Sequence, residues 1–117
     1  MIMLTKTNEL TGPALDWAVA KCEGDEVRYE GGCIRPALSQ FVDDDGYQPS
    51  TDWDQGGPII EREKIGVWWD GVWHAKYDGC RPDQVQDAHT PLIAAMRCYV
   101  ASKLGDEVEI PNELTGE

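Results

Sequence analysis

An α+β fold is what this sequence predicts, with three helices packed on a small antiparallel β-sheet centred on residues 65–77. Three observations carry that expectation. Thr90-Pro91 and Thr11-Gly12-Pro13 each open a segment with apolar residues at helical spacing, and Asp70-Gly71 separates two short runs rich in Val, Ile and Trp. At 117 residues the chain has room for one domain with one core. Residues 1–117 therefore read as a single unit, with a frayed tail at 113–117.

In the first helix, Thr11 or Gly12 serves as N-cap and Pro13 fits the first turn, where its missing N–H costs nothing. Leu15, Ala18, Val19 and Cys22 make its core face, with Trp17 at the edge of that stripe. Val27-Arg28-Tyr29 and Cys33-Ile34-Arg35 read as short strands paired across a Gly31-Gly32 turn. Asp43-Asp44-Asp45-Gly46 reads as a solvated acidic loop. As an EF-hand it fails, because Gly46 in the sixth position puts Phe41, without a carboxylate, in the first.

Ser50 and Thr51 are candidate hydroxyl caps of a second helix that runs to about Glu63, with a kink or irregular first turn expected at Gly56-Gly57-Pro58. Ile59 and Ile60 face the core, while Glu61, Arg62 and Glu63 mostly face water. Asp70-Gly71 is a preferred two-residue hairpin turn, because both of its positions need positive φ. That register sets Trp69 opposite Val72 and Trp68 opposite Trp73, and makes both hairpin faces largely apolar. Two apolar faces and three helices to cover them lead to an expectation of homo-oligomers. Residues 81–89 read as a polar loop. In the third helix, capped by Thr90, the core stripe is Leu92, Ile93, Met96, Tyr99, Val100 and Leu104, and Gly105 ends it. Val108-Glu109-Ile110 reads as a short edge strand.

Composition narrows the function. The chain holds 22 acidic and 10 basic residues, for a net charge of −12, which disfavours direct nucleic-acid binding. No apolar run approaches the roughly 20 residues of a membrane helix. Met1–Leu10 lacks the basic-then-apolar layout of a signal peptide, so a cytoplasmic location is expected. Cys22, Cys33, Cys80 and Cys98 lack zinc-ligand spacing and read as reduced structural thiols. No phosphate-cradle, zinc-protease or nucleophile-elbow motif is present, so no enzyme activity, metal or cofactor is expected.

The aromatic residues say more. Trp53, Trp68, Trp69 and Trp73 fall within 21 residues, and a core this small accounts for about two of the four. Exposed indoles stack on a planar ligand or grip an apolar anchor, and free N–H groups at a helix start, near Thr51 or Thr90, suit an anion. Thr51, Trp53, Trp69, Trp73, His74, Thr90 and Arg97 are accordingly the candidate ligand-binding residues. The bland reading of His74 is a structural hydrogen bond within a strand.

Ser50-Thr51-Asp52-Trp53, Gly57-Pro58-Ile59-Ile60-Glu61-Arg62-Glu63, Trp69-Asp70-Gly71-Val72-Trp73-His74-Ala75 and Thr90-Pro91-Leu92-Ile93-Ala94-Ala95-Met96-Arg97 together resemble NinX, a small protein family of lambdoid phages and prophages. Glu9-Leu10-Thr11-Gly12 through Ala18-Val19-Ala20 is similar too, with 30–48 and 81–87 as the expected variable loops. In outline the chain is also similar to small phage α/β sandwich domains. The resemblance brings no assigned activity. It implies a phage accessory protein made in the host bacterial cytoplasm and dispensable for building virions.

Three functional readings follow. The first is non-catalytic binding, with counter-defence by sequestering a small nucleotide-like ligand. The alternative is an acidic protein–protein inhibitor or decoy of a host nuclease or DNA-binding protein. Residues 43–63 hold seven acids and one base, and residues 105–117 hold five acids and no base, which would occupy a basic surface. The third is a small enzyme using His74 with Asp52 or Glu61.

Overall fold

The computed structural model describes residues 2–24, 27–30, 33–36, 47–77, 85–111 and 114. In chain order the elements are β1 (Ile2–Lys6), a 3-10 turn (Thr7–Glu9), α1 (Gly12–Cys22), β2 (Val27–Glu30), β3 (Cys33–Pro36), α2 (Trp53–Glu63), β4 (Ile65–Trp69), β5 (Trp73–Tyr77), β6 (Gln86–Ala88), α3 (Pro91–Leu104) and β7 (Glu107–Pro111). The class is α+β. Instead of one sheet centred on the hairpin, the described strands form three antiparallel ladders: β1–β7, β2–β3 and β4–β5–β6. The acidic loop at 43–46 and the Gly31-Gly32 turn lie outside the described residues, as does Cys80.

The central element is α3, which packs against α1, α2, the hairpin, β6 and β7. Thr90 starts it as expected, its hydroxyl accepting the Ile93 N–H at 3.1 Å, and Gly105 at φ +90 ends it. Leu92, Ile93, Ala94, Ala95, Met96, Cys98, Tyr99 and Val100 are all buried, so the helix is covered almost all round. Leu104 is 41% exposed, and the core stripe stops short of it. From α1 come Leu15, Ala18 and Val19, at the expected spacing. Cys98 is buried and Cys22 half-buried, and neither is in a disulfide. Val108 and Ile110 of β7 complete this side of the core, and Leu114, in the stretch expected to fray, is buried against it.

One buried residue of α1 is ionisable. Asp16 is 4% exposed, and its Oδ1 accepts the backbone N–H of Ser50 at 2.8 Å, which ties the 47–52 turn to α1. Burial pushes its carboxyl up to about 7, partly opposed by the Ser50 N–H bond. The tie also explains why the cap of α2 differs from expectation. With Ser50 buried and Thr51 bonded to Gln48 Oε1 at 3.4 Å, the cap is Asp52, whose Oδ1 accepts the Asp54 N–H at 2.9 Å.

The expected irregular first turn is absent, since α2 is helical from Trp53 to Glu63 with Pro58 inside it. Proline there deprives only the Asp54 carbonyl of its intrahelical donor, and Asp54 is exposed, where water takes that place. The helix ends on Lys64 in the left-handed region, φ 57, with its N–H on the Ile60 carbonyl. A residue with a Cβ is strained there. Lys64→Gly is expected to raise stability by about 1 kcal/mol, read as a higher urea midpoint at unchanged slope.

Candidate functional site

The hairpin positions most of the expected site residues, and its register decides what they face. A two-residue Asp70-Gly71 turn needs positive φ at both positions. Gly71 has it, at +81, but among the described non-glycine residues only Lys64 does. Asp70 stays in the ordinary region, and Val72 joins the loop as a third residue, its carbonyl accepting the Asp70 N–H at 2.9 Å. Trp69 therefore pairs with Trp73, Trp68 with His74, Val67 with Ala75, and Ile65 with Tyr77.

This one-residue change of partner sorts the side chains differently from the expected arrangement. Ile65, Val67, Trp69, Trp73, Ala75 and Tyr77 share one face, and Gly66, Trp68, His74 and Lys76 share the other. The first face packs on α3. Its inner end is buried at Ile65 and Ala75, while its outer end overhangs the core. The premise for homo-oligomers, two apolar hairpin faces in need of cover, is not met.

At the overhang, Trp69 is 61% exposed and tilts against Trp73, ring centroids 5.5 Å apart at 58°. Trp68 (41%) and Val72 (42%) are exposed beside it, and Trp53, at the start of α2, is 54% exposed. On the opposite face a cross-strand row runs Trp68–His74–Asp87, because Asp87 of β6 lies directly across from His74. The Trp68 ring stacks on the imidazole at 5.2 Å and 24°. His74 Nδ1 and Asp87 Oδ1 are 2.6 Å apart, so His74 bonds to Asp87 and not to Asp52 or Glu61. A carboxylate on Nδ1 fixes the ring's orientation.

The remaining candidates are engaged in holding the fold. Thr90 caps α3 and Thr51 turns to Gln48. Arg97 donates from Nε to the Leu10 carbonyl at 2.8 Å and from Nη1 to the Asp87 carbonyl at 2.7 Å, joining the start of α1 and β6 to α3. Partial burial lowers its pKa. The structure thus unites Trp69 with Trp73, and links His74 and Arg97 through Asp87. It places Thr51 and Trp53 at the start of α2.

A second polar cluster lies where the sequence pointed to solvated charges. Arg62 holds Glu23 with two bonds, 3.0 and 2.7 Å, and Glu63 with Nε at 2.8 Å. Tyr99 donates to Glu23 and Tyr77 to Glu63. The bonds to Glu23 and Glu63 raise the Arg62 pKa. The Tyr77 and Arg62 bonds lower that of Glu63. Tyr77 is pushed up to about 12, chiefly by its bond to Glu63. Burial, with the neighbouring Glu23 charge, pushes the Cys22 thiol up to about 12, so it stays protonated at neutral pH. The cluster clamps the ends of α1 and α2 to β5 and α3. The spacing of Glu23 from Arg62, 39 residues, gave no signal for it.

A cleft of about 570 Å³ opens between β6 and the end of the β1–β7 ladder, with Lys6, Asn8, Gln86, Asp87, Asp106 and Glu107 on its walls. Asp87 therefore borders both the His74 row and this cleft.

The family model described as Bacteriophage P22, NinX, matches residues 6–103, from the end of β1 to the last turn of α3. The chain belongs to the NinX family. No curated protein matches it. In this NinX-family chain the matched span contains the hairpin, the His74 row and the Arg62 cluster, while β7 lies beyond it. Among its described residues no helix is long and apolar enough to cross a membrane.

Proposed function

We propose that this NinX-family protein is a phage accessory factor that works in the host bacterial cytoplasm by non-catalytic binding, docking a host protein on the open end of its hairpin. One observation carries the reading. Trp68, Trp69 and Val72 stay in water at the end of a hairpin whose inner half is buried, with Trp53 exposed as well. Exposed indoles are the residue type that most often dominates protein–protein affinity, at roughly 2 kcal/mol or more each. The −12 charge of the chain favours a partner with a basic rim and steers it in. This keeps the inhibitor or decoy expectation and adds an apolar anchor to it.

Sequestration of a nucleotide-like molecule is the second reading, favoured by the exposed Trp68 ring stacked on His74. A base has a plane to stack on there. The groups expected to hold its phosphate are less available, since Arg97 bonds two carbonyls and Asp52 caps α2 with a carboxylate.

Native mass spectrometry of the protein purified from an induced host tests both. A discrete protein-sized mass that Trp69→Ala loses, with circular dichroism unchanged, is the expected result. A nucleotide-sized mass lost on Trp68→Ala would replace the first reading by the second. Equal retention of the partner by wild type and Trp69→Ala would overturn docking at the hairpin end.

A further inference from the structure

We infer that the outer edge of β7 is a docking site for an extended basic segment of a partner protein, which adds to it as an antiparallel strand. The site is separate from the hairpin end and does not rest on the docking proposed there. Backbone register carries it. The Thr7 N–H donates to the Asp106 carbonyl at 2.8 Å, and these two residues lie directly opposite each other, one step beyond the Lys6–Glu107 pair. In an antiparallel ladder such bonded pairs alternate with pairs whose N–H and C=O groups point away from each other. Thr5–Val108 and Met3–Ile110 are therefore bonded pairs, while Lys6–Glu107 and Leu4–Glu109 are not. Glu107 and Glu109 thus aim their N–H and C=O groups at the side of β7 that faces away from β1. Among the described residues those groups have no partner there. Pro111, the next residue of this set, has no N–H, so the usable edge ends before it.

A groove of about 250 Å³ runs along this edge, between β7, α1 and the end of α3. Glu107, Val108 and Glu109 line it consecutively, as a strand does from its edge, since a strand face shows every second residue. Trp17 and the exposed Leu104 are its apolar walls. Charge decides the occupant. Glu107 and Glu109 are both exposed, on one face of β7. A second copy of the chain added antiparallel through this edge sets glutamate opposite glutamate, which destabilises the pairing, so the acids guard the edge against self-association. A strand with Lys or Arg at the positions opposite them turns the same contacts attractive. Its intervening residues fall on the side of the buried Val108, where Trp17 and Leu104 suit apolar side chains. Lys21, whose Nζ lies 5.5 Å from the Trp17 ring centroid, repels a basic side chain there. Main-chain bonds supply the affinity in this mode, and the alternation of basic and apolar residues supplies the selection. Glu107 and Glu109 lie beyond the span matched by the family model, so the site is assigned to this chain rather than to the family.

The test is a titration of the full-length protein, followed by ¹H–¹⁵N NMR at low salt, with a capped pentapeptide that alternates lysine and valine. The Glu107 and Glu109 amides are expected to shift and to gain protection from solvent exchange. Two backbone-methylated versions of the peptide separate strand addition from simple charge attraction. In an antiparallel pair the residues opposite Glu107 and Glu109 turn their own N–H groups toward β7. N-methylation of the lysines should therefore weaken binding by at least about tenfold, and N-methylation of the valines by less than about threefold. Glu107→Lys with Glu109→Lys, at two exposed positions, should weaken the unmethylated peptide by at least about tenfold with circular dichroism unchanged. Trp69→Ala should leave its binding as it is. Equal binding of the two methylated peptides would overturn the proposal. So would shifts that spare Glu107 and Glu109, or full affinity in the double variant.

Discussion

Asp16→Asn is expected to stabilise the protein at pH 8 by roughly 3–4 kcal/mol and to change it by less than about 1 kcal/mol at pH 4. The carboxyl is buried in α1 and held up at about 7, against an ordinary value of 3.8. The sign follows from proton counting. Between about pH 4 and 7 the unfolded chain has released this proton while the folded chain still holds it, so the group's contribution falls with rising pH across that window and is level above it. Asparagine keeps the oxygen that accepts the Ser50 N–H and has no charge to desolvate. Urea unfolding of wild type and variant at several pH values is the measurement. A difference that stays flat from pH 4 to 8 would show that Asp16 ionises in the fold as readily as in water. The same tie positions the 47–52 turn from which Asp52 caps α2, the helix that carries Trp53.

Gly56→Ala is expected to destabilise by about 1–3 kcal/mol, at the upper end of that range. A Cβ at this position would lie 2.3 Å from the Pro49 carbonyl oxygen and 2.6 Å from Leu92 Cδ1. The leucine is able to rotate, but Pro49 presents backbone at the turn that Asp16 holds in place. Relief requires α2 to move away from the Pro49 carbonyl. Chemical denaturation reads the loss, and near-wild-type stability would mean that α2 packs less closely than described. Gly57, one residue on, has only the Trp53 ring nearby, at 3.9 Å, so Gly57→Ala serves as the control.

The contrast between these neighbouring glycines shows how much of the molecule local chemistry announces. From the chain alone Gly56 and Gly57 look alike, as two interruptions of a helix expected to kink. Their difference comes from Pro49 and Leu92, and from the tertiary contact between them. The candidate site behaves in the same way. Trp69, Trp73 and His74 were legible because they flank a hairpin turn with a strong local signature. Asp87, which holds His74, was hidden in what reads as a polar loop, since a three-residue strand has too little alternation to stand out. Arg97 was legible as a cation on α3, but its use on the Leu10 and Asp87 carbonyls depends on segments 87 and 10 residues away.

By itself, the sequence determined the features in which the cause sits within a few residues of its effect. These are the three helices, the Thr90 cap, the Gly105 stop, the paired strands at 27–36 and the hairpin as such. The quoted segments that resemble NinX belong here as well, and the match over residues 6–103 agrees with them. Tertiary structure alone decided the pairing of β1 with β7 and of β6 with β5, because strand partners far apart in the chain share no local signal. It also decided the burial of Asp16 and the assembly of Glu23, Arg62, Tyr77 and Tyr99 into one cluster. The hairpin register lies between the two. Asp-Gly permits a two-residue turn, but its first residue must enter the left-handed region for that turn to form. Here Asp70 does not, Val72 joins the loop, and Trp69 and Trp73 come to share the face that runs from the core out into water.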